Sequence, residues 1–247
     1  MAQLIKTHYK NKQLKSIYFE NDGKKEGEYK EYHDGERFKK ICYYINGKIE
    51  GEYFDNEQLK IICYYVNGKR EGEYKEYYLN GQLEAICYYI NGKIEGEFKS
   101  YYTNGQLYVI CNYIDGKIEG EYKSYHNNGQ LSIIYNYING RKEGEYRDYF
   151  DNGQLHTICN YVGGKEEGEF KLYHDCGQLG RICNYMDGKI DGIYKECYYN
   201  GQLKKICYYI NGKIEDGADD SEIGGSTEES EETDDDNDNE DDKRRWR

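Results

Sequence analysis

Proline is absent from the 247 residues, methionine occurs twice and tryptophan once. Aliphatic side chains are scarce, and the mean hydropathy is -1.10. That excludes a thick oily core. No apolar run approaches the roughly 18 residues that a membrane helix needs. The opening MAQLIKTHYK has no apolar signal-peptide segment, so the chain is expected to remain inside a cell, where cysteines are expected as thiols rather than disulfides. A basic excess is also missing. Residues 1–215 carry 32 acids and 30 bases, a net of -2, whereas residues 216–247 carry 15 acids and 4 bases. A near-neutral body argues against broad nucleic-acid binding, which needs a basic surface.

What is present is tyrosine, 32 times, and glycine, 29 times. Tyrosine must therefore supply most of the buried area, through an apolar ring with a polar hydroxyl. The two residue types recur with a fixed period. Glycines of an "EG" step stand at Gly27, Gly51, Gly72, Gly96, Gly120, Gly144, Gly168 and Gly192, spaced by 24 residues except for one gap of 21. Such a period means an array of identical small units. An enzyme is not expected, because every polar cluster repeats and no Ser/His/Asp set, phosphate loop or carboxylate pair stands apart.

Within residues 83–107, Asn91-Gly92 and Asn104-Gly105 are hairpin-turn signals. Between turns lie strand-sized segments rich in Tyr and Ile, here Leu83–Ile90 and 93–103. The reading is an all-β, elongated single antiparallel sheet of hairpin repeats over residues 1–215, followed by an acidic disordered tail, 216–247. Nine "QL" strands begin at Leu14, Phe38, Leu59, Leu83, Leu107, Leu131, Leu155, Leu179 and Leu203, so about eighteen strands are expected. The 21-residue gap, in the segment Gly51 to Leu59, reads as a shortened hairpin with a local kink.

If both Asn-Gly pairs form two-residue type I′ turns, Ile90 faces Lys93, Cys87 faces Gly96 and Ala85 faces Phe98. Across the second turn Tyr102 faces Leu107, Phe98 faces Cys111 and Gly96 faces Tyr113. Alternation then divides the sheet into an aromatic face and a striped face. The aromatic face carries Leu83, Cys87, Tyr89, Gly96, Phe98 and Tyr102, with glycine leaving room for a neighbouring ring. The striped face carries Ile86, Tyr88 and Ile90 beside Lys93, Glu95, Glu97, Lys99 and Tyr101.

The segment GEYKEYYLNGQLEAICYYINGKIEG, residues 72–96, resembles the MORN repeat. It is most similar to the variant found in bacterial antitoxin-like proteins and in repeat proteins of giant DNA viruses of the Mimivirus kind. The resemblance spans about residues 5–215. It implies elongated β-hairpin sheets acting in protein interaction or near membranes, with enzymatic chemistry, where present, in a separate domain.

Seven cysteines share one slot: Cys42, Cys63, Cys87, Cys111, Cys159, Cys183 and Cys207, with Tyr135 in the same slot. Equivalent positions two strands apart are roughly 9–10 Å from one another. That is too far for a disulfide, and a ladder does not converge four ligands on a zinc ion. They are expected as small core residues opposite glycine, and no metal or cofactor site is expected. Cys176 replaces a turn Asn and Cys197 a strand Tyr. His33, His126 and His174 share the slot of Tyr102 and read as aromatic substitutes.

One slot breaks the symmetry in an organised way. The position of Tyr88 is Asn in four consecutive repeats, Asn112, Asn136, Asn160 and Asn184, and returns to Tyr at Tyr208. Drift among duplicated repeats would produce this, and so would a partner-binding patch. The expected role is a non-enzymatic scaffold binding another protein along its aromatic or striped face, or a second copy through the aromatic face. Alternatives are a peripheral lipid-binding module and an antitoxin-like neutralising binder. In the tail, Ser226 and Thr233 each precede an acid by three residues, a pattern for an acid-directed kinase.

Overall fold

Each QL strand is rich in Tyr and Ile, ends at an Asn-Gly or Asp-Gly pair or at Gly163-Gly164, and returns along a strand that starts with Lys or, once, Arg141. The computed structural model describes residues 2–34, 38–55 and 61–215, and these form a single open antiparallel sheet. Its 23 strand segments pair with their chain neighbours from Gln3–His8 to Lys213–Ile214, without crossovers. Four strands are interrupted at one residue, as where Lys93–Ile94 resumes at Gly96–Tyr101. Gln3–His8 is one strand more than the sequence pattern predicts. The acidic tail, Ser226 and Thr233 lie outside the described residues, as does Leu59. Of the shortened hairpin, the pairing runs unbroken from Gly51↔Tyr65 to Asp55↔Ile61; its turn and the expected kink lie outside the described residues.

The two Asn-Gly turns differ. Asn91 (φ 53°) and Gly92 (φ 84°) are both left-handed, as a two-residue type I′ turn requires. At the other end only Gly105 is left-handed, at φ 84°. The Gly105 N–H bonds to the Tyr102 carbonyl at 2.8 Å, and the Tyr102 N–H bonds to the Gln106 carbonyl at 2.8 Å. This is a three-residue loop with a type I turn and a glycine bulge, not type I′, and it pairs Leu107 with Tyr101 rather than Tyr102. The Asn104 side chain selects it by accepting the Gln106 N–H at 3.0 Å.

The "EG" step is the second departure from the expected register. Tyr89 pairs with Ile94 and Ile90 with Lys93, as the two-residue turn dictates. Beyond Gly96 the ladder slips by two, so Ala85 faces Ser100 and Ile86 faces Lys99. Cys87 therefore does not face Gly96, nor Ala85 face Phe98. Gly96 has φ +78°, and a Cβ built on it meets nothing within 4 Å. The glycine serves the bulge's left-handed backbone and does not make room for a ring. Gly96→Ala is accordingly expected to cost about 1–2 kcal/mol, the penalty of a Cβ in that region, with Gly96→Asn milder. Urea denaturation of both variants checks this; a neutral Gly96→Ala would contradict it.

A slip of two preserves alternation, so the division into faces holds across Gly96, whereas the slip of one at the three-residue loop sets Leu83 opposite Tyr77, in the Tyr101 slot, and not with the aromatic face as expected. The core is a column on the aromatic face, with Tyr74, Cys87, Tyr89, Phe98, Cys111 and Tyr122 all buried. Each slot cysteine faces an aromatic ring, as in Tyr74↔Cys87 and Phe98↔Cys111, and not glycine as expected. Rings from successive strands meet near edge-on, for example Tyr74 with Tyr89 at 5.6 Å and Phe98 with Tyr113 at 5.9 Å. A one-layer sheet thus makes its own core by placing tyrosine rings over cysteine, serine and alanine.

Repeats are tied together at both edges. The Glu of each "EG" step accepts the first turn N–H of the next repeat: Glu71 from Asn91 at 2.7 Å, Glu95 from Asp115 at 2.7 Å, and Glu119 from Asn139 at 2.7 Å. Eight repeats make this contact, Asp191 serving in the last. At the opposite edge Tyr102 Oη donates to the Tyr125 carbonyl at 2.7 Å. His126 Nε2 and His174 Nε2 reach the carbonyls of Tyr149 and Cys197 at 2.7 and 3.2 Å, reproducing the tyrosine's contact with a ring nitrogen.

Candidate binding face

The two faces differ in what they expose. On the aromatic face the rings are largely covered by their neighbours. Large apolar side chains left exposed sit mainly on the striped face: Tyr43, Tyr64, Tyr88 and Tyr208 at 44–50%, with Ile90, Ile114, Ile138 and Met186 beside the turn edge. Strand alternation points them outward, and among the described residues no second layer covers them.

Register places the candidate asparagines with particular partners. Asn112, Asn136, Asn160 and Asn184 pair directly with Glu97, Glu121, Glu145 and Glu169. Amides and carboxylates therefore alternate strand by strand along the middle of the ribbon. Tyr88 faces Glu73, and Tyr208 faces Ile193. Each of the four carboxylates is matched by a cation two residues on: Lys99 at 2.5 Å from Glu97, Lys123 at 2.5 Å from Glu121, Arg147 at 2.7 Å from Glu145 and Lys171 at 2.5 Å from Glu169. Hydrogen bonding to these carboxylates holds Lys99, Lys123 and Lys171 above the ordinary lysine value. The stripe presents fixed, mutually neutralised charge.

Replacing tyrosine with asparagine leaves hollows. A depression of about 600 Å³ lies where Tyr88 gives way to Asn112, lined also by Glu73, Glu97, Lys99 and Ile114. A second, of about 210 Å³, lies at Asn136 between Glu121, Glu145 and Arg147. The structure thus brings Tyr88 and Asn112 together, sets Asn136 in the next hollow, and strings Asn160 and Asn184 further along the same column. Tyr208 stands apart at the far end, five repeats from Tyr88.

Sequence reading missed a group of cations on the opposite face. The slot of Ile94 is occupied by Lys25, Arg70 and Lys142. Lys25 Nζ lies 4.1 Å from the Tyr29 ring centroid, and Lys142 Nζ lies 4.8–5.1 Å from the rings of Tyr135, Tyr146 and Tyr161. Arg70 lies over Tyr74 at 4.9 Å and donates to Tyr89 Oη at 3.0 Å. The signal was legible as a basic residue replacing isoleucine on the aromatic face. These are internal cation–π contacts that occupy the rings.

Burial raises the slot thiols, Cys63 and Cys183 to about 11 and Cys87 and Cys159 to about 12. They are poor nucleophiles as placed. Among the described residues no three of His, Cys, Asp and Glu converge in a way that suits a metal ion. No helix of the described residues is long and apolar enough to cross a membrane.

Comparison with known families agrees with this geometry. Residues 70–91, 94–115, 118–139, 142–162 and 190–211 match the MORN repeat variant. Five of the hairpins are therefore similar to the MORN repeat variant. Each matched segment contains one three-residue turn with its two flanking strands and ends at or just before the Asn-Gly-type turn. MORN repeats are typically protein- or membrane-interaction modules. The hairpin over 166–187 falls outside the matches, yet it keeps the pairing of the matched hairpins, with Phe170↔Cys183 and Gly168↔Tyr185. No curated protein matches the chain.

Proposed function

We propose that this protein is a non-enzymatic scaffold whose MORN-variant repeats bind another protein on the striped face, centred on the stretch from Tyr88 to Asn184. The observation that carries the reading is the hollow at the Tyr88–Asn112 step. There, exposed aromatic and aliphatic side chains adjoin amides and charges already held in place. Such a surface offers apolar anchors within a polar frame and little side-chain entropy to lose. A second copy of the chain would use the same face, because the aromatic face is already covered by its own rings.

The test is binding of the full chain to partners recovered by cross-linking from a cell lysate, compared with a variant carrying Asn112→Tyr, Asn136→Tyr, Asn160→Tyr and Asn184→Tyr. Filling the hollows is expected to weaken the captured partner at least about tenfold, equivalent to about 1.4 kcal/mol. Unchanged affinity would refute the patch. Retention of the chain only by lipid vesicles would favour the membrane reading, and capture of a toxin-like partner would favour the antitoxin-like one.

A further inference from the structure

The turn edge of the striped face carries a row of cations that the core does not use. The slot of Lys93 is basic in all nine repeats, from Lys24 through Lys213, and every member is exposed. The row is rigidly seated. The aliphatic stem of each of the first eight lies against the turn glycine of the following repeat. A Cβ on Gly92, for instance, would meet Lys69 Cβ, Cγ and Cδ at 3.4–3.8 Å. Those turns are anchored in turn, since the Gly92 N–H bonds to the Arg70 carbonyl at 2.9 Å.

Carboxylates occur nearby but lie further in. The Glu95-slot acids are half-buried and bound to turn amides, as described above. Lys93 and Lys165 also pair with the turn aspartates Asp115 and Asp187.

The same chain contains a matching polyanion. Residues 216–242 hold 15 acids and no base. The segment begins three residues after Lys213, the last member of the row. Its length also matches. Nine rungs two strands apart span about 77 Å, and 27 residues extend to about 90 Å. We propose that the acidic segment 216–242 docks back along the Lys24–Lys213 edge of its own ribbon, as an intrachain occupant of that row.

Rung spacing is close to the Debye length of about 10 Å at 0.1 M salt, so each contact acts locally and the docking is salt-sensitive. Carbodiimide, which joins ammonium to carboxylate without a spacer, reads it directly. The full chain is treated at about 20 mM salt as an equal mixture of ordinary and 15N-labelled protein, and cross-links to residues 216–242 are mapped by mass spectrometry. Expected are same-isotope links concentrated about tenfold on Lys93-slot lysines over the Lys99-slot lysines of the striped face. These should fall about tenfold at 0.5 M salt. Tail links spread evenly over both slots, a mixed-isotope share near one half as contact between chains would give, or no tail links at all would each overturn the proposal. So would binding of the chain to phosphatidylserine-containing vesicles with no tail link in their absence, which would give the row to a membrane.

Discussion

Raising the pH from 8 to about 11 is expected to unfold the ribbon in one cooperative step. Burial pushes the thiols of Cys63 and Cys183 up to about 11 and those of Cys87 and Cys159 up to about 12. Tyr44 and Tyr194 rise to about 12 for the same reason, and Tyr74, Tyr135 and Tyr161 rise further. In the unfolded chain these groups ionise near their ordinary values, 9.0 for cysteine and 10.0 for tyrosine. Between those values and the raised ones, the folded state holds more protons. Stability present below pH 9 is therefore lost as pH rises, by up to about 1.4 kcal/mol per pH unit for each group. Several groups act in the same window, so the loss is steep. The readout is tyrosinate absorbance against β-sheet circular dichroism. A tyrosinate step should coincide with loss of the sheet signal. Smooth tyrosinate titration near pH 10 with the sheet intact would show that the rings are not buried as described.

The second large effect is expected at the centre of the aromatic column. Tyr122 is 7% exposed, stacks on Tyr135 at 4.9 Å and meets Tyr137 edge-on at 6.3 Å. Tyr122→Ala removes a buried ring from a one-layer core that has no opposite layer to collapse into the space. About 3–5 kcal/mol should be lost. Tyr88→Ala, at 50% exposure on the striped face, should cost less than about 1 kcal/mol. Because stability in a repeat array is carried by neighbour contacts, Tyr122→Ala should also split the urea transition into two, one for each flank. Equal costs for the two tyrosines would mean that the aromatic column is not the core.

Each asparagine faces a carboxylate bridged to a cation, and Glu73 with Lys75 repeats that arrangement opposite Tyr88. The flanking tyrosines face the same glutamate slot at Glu73 but face isoleucine at Ile193. The scaffold role and the partner-facing role of this column are our proposal, supported by exposure and chemistry. MORN similarity alone supports the broader class of protein or membrane interaction.

How much was legible in the residues can be judged element by element. Tyr/Ile strands, the turn at Asn91-Gly92 and the two faces follow from local chemistry. Left-handed backbone at both turn positions favours Asn-Gly, and alternation is a property of any extended chain. The face division was robust because the bulge at Gly96 moves the register by two, which leaves inward residues inward. The bulge itself was hidden. Gly96 was read as space for a ring, whereas its left-handed φ is what requires it, and φ cannot be read from a glycine in a strand-like sequence. Asn104-Gly105 carries the same dipeptide as Asn91-Gly92 but turns differently, because the Asn104 side chain engages the Gln106 amide.

The sequence by itself determined a strand meander with an aromatic side and a striped side, since period and alternation are encoded within each 24-residue unit. Only the tertiary structure decided how one unit meets the next. The Glu71 contact to Asn91 spans 20 residues, the Tyr102 hydroxyl reaches 23 residues on to Tyr125, and the Lys69 stem lies against Gly92. Those contacts depend on register accumulated through two turns and one bulge. An error of two residues in that register leaves every face unchanged while changing every partner.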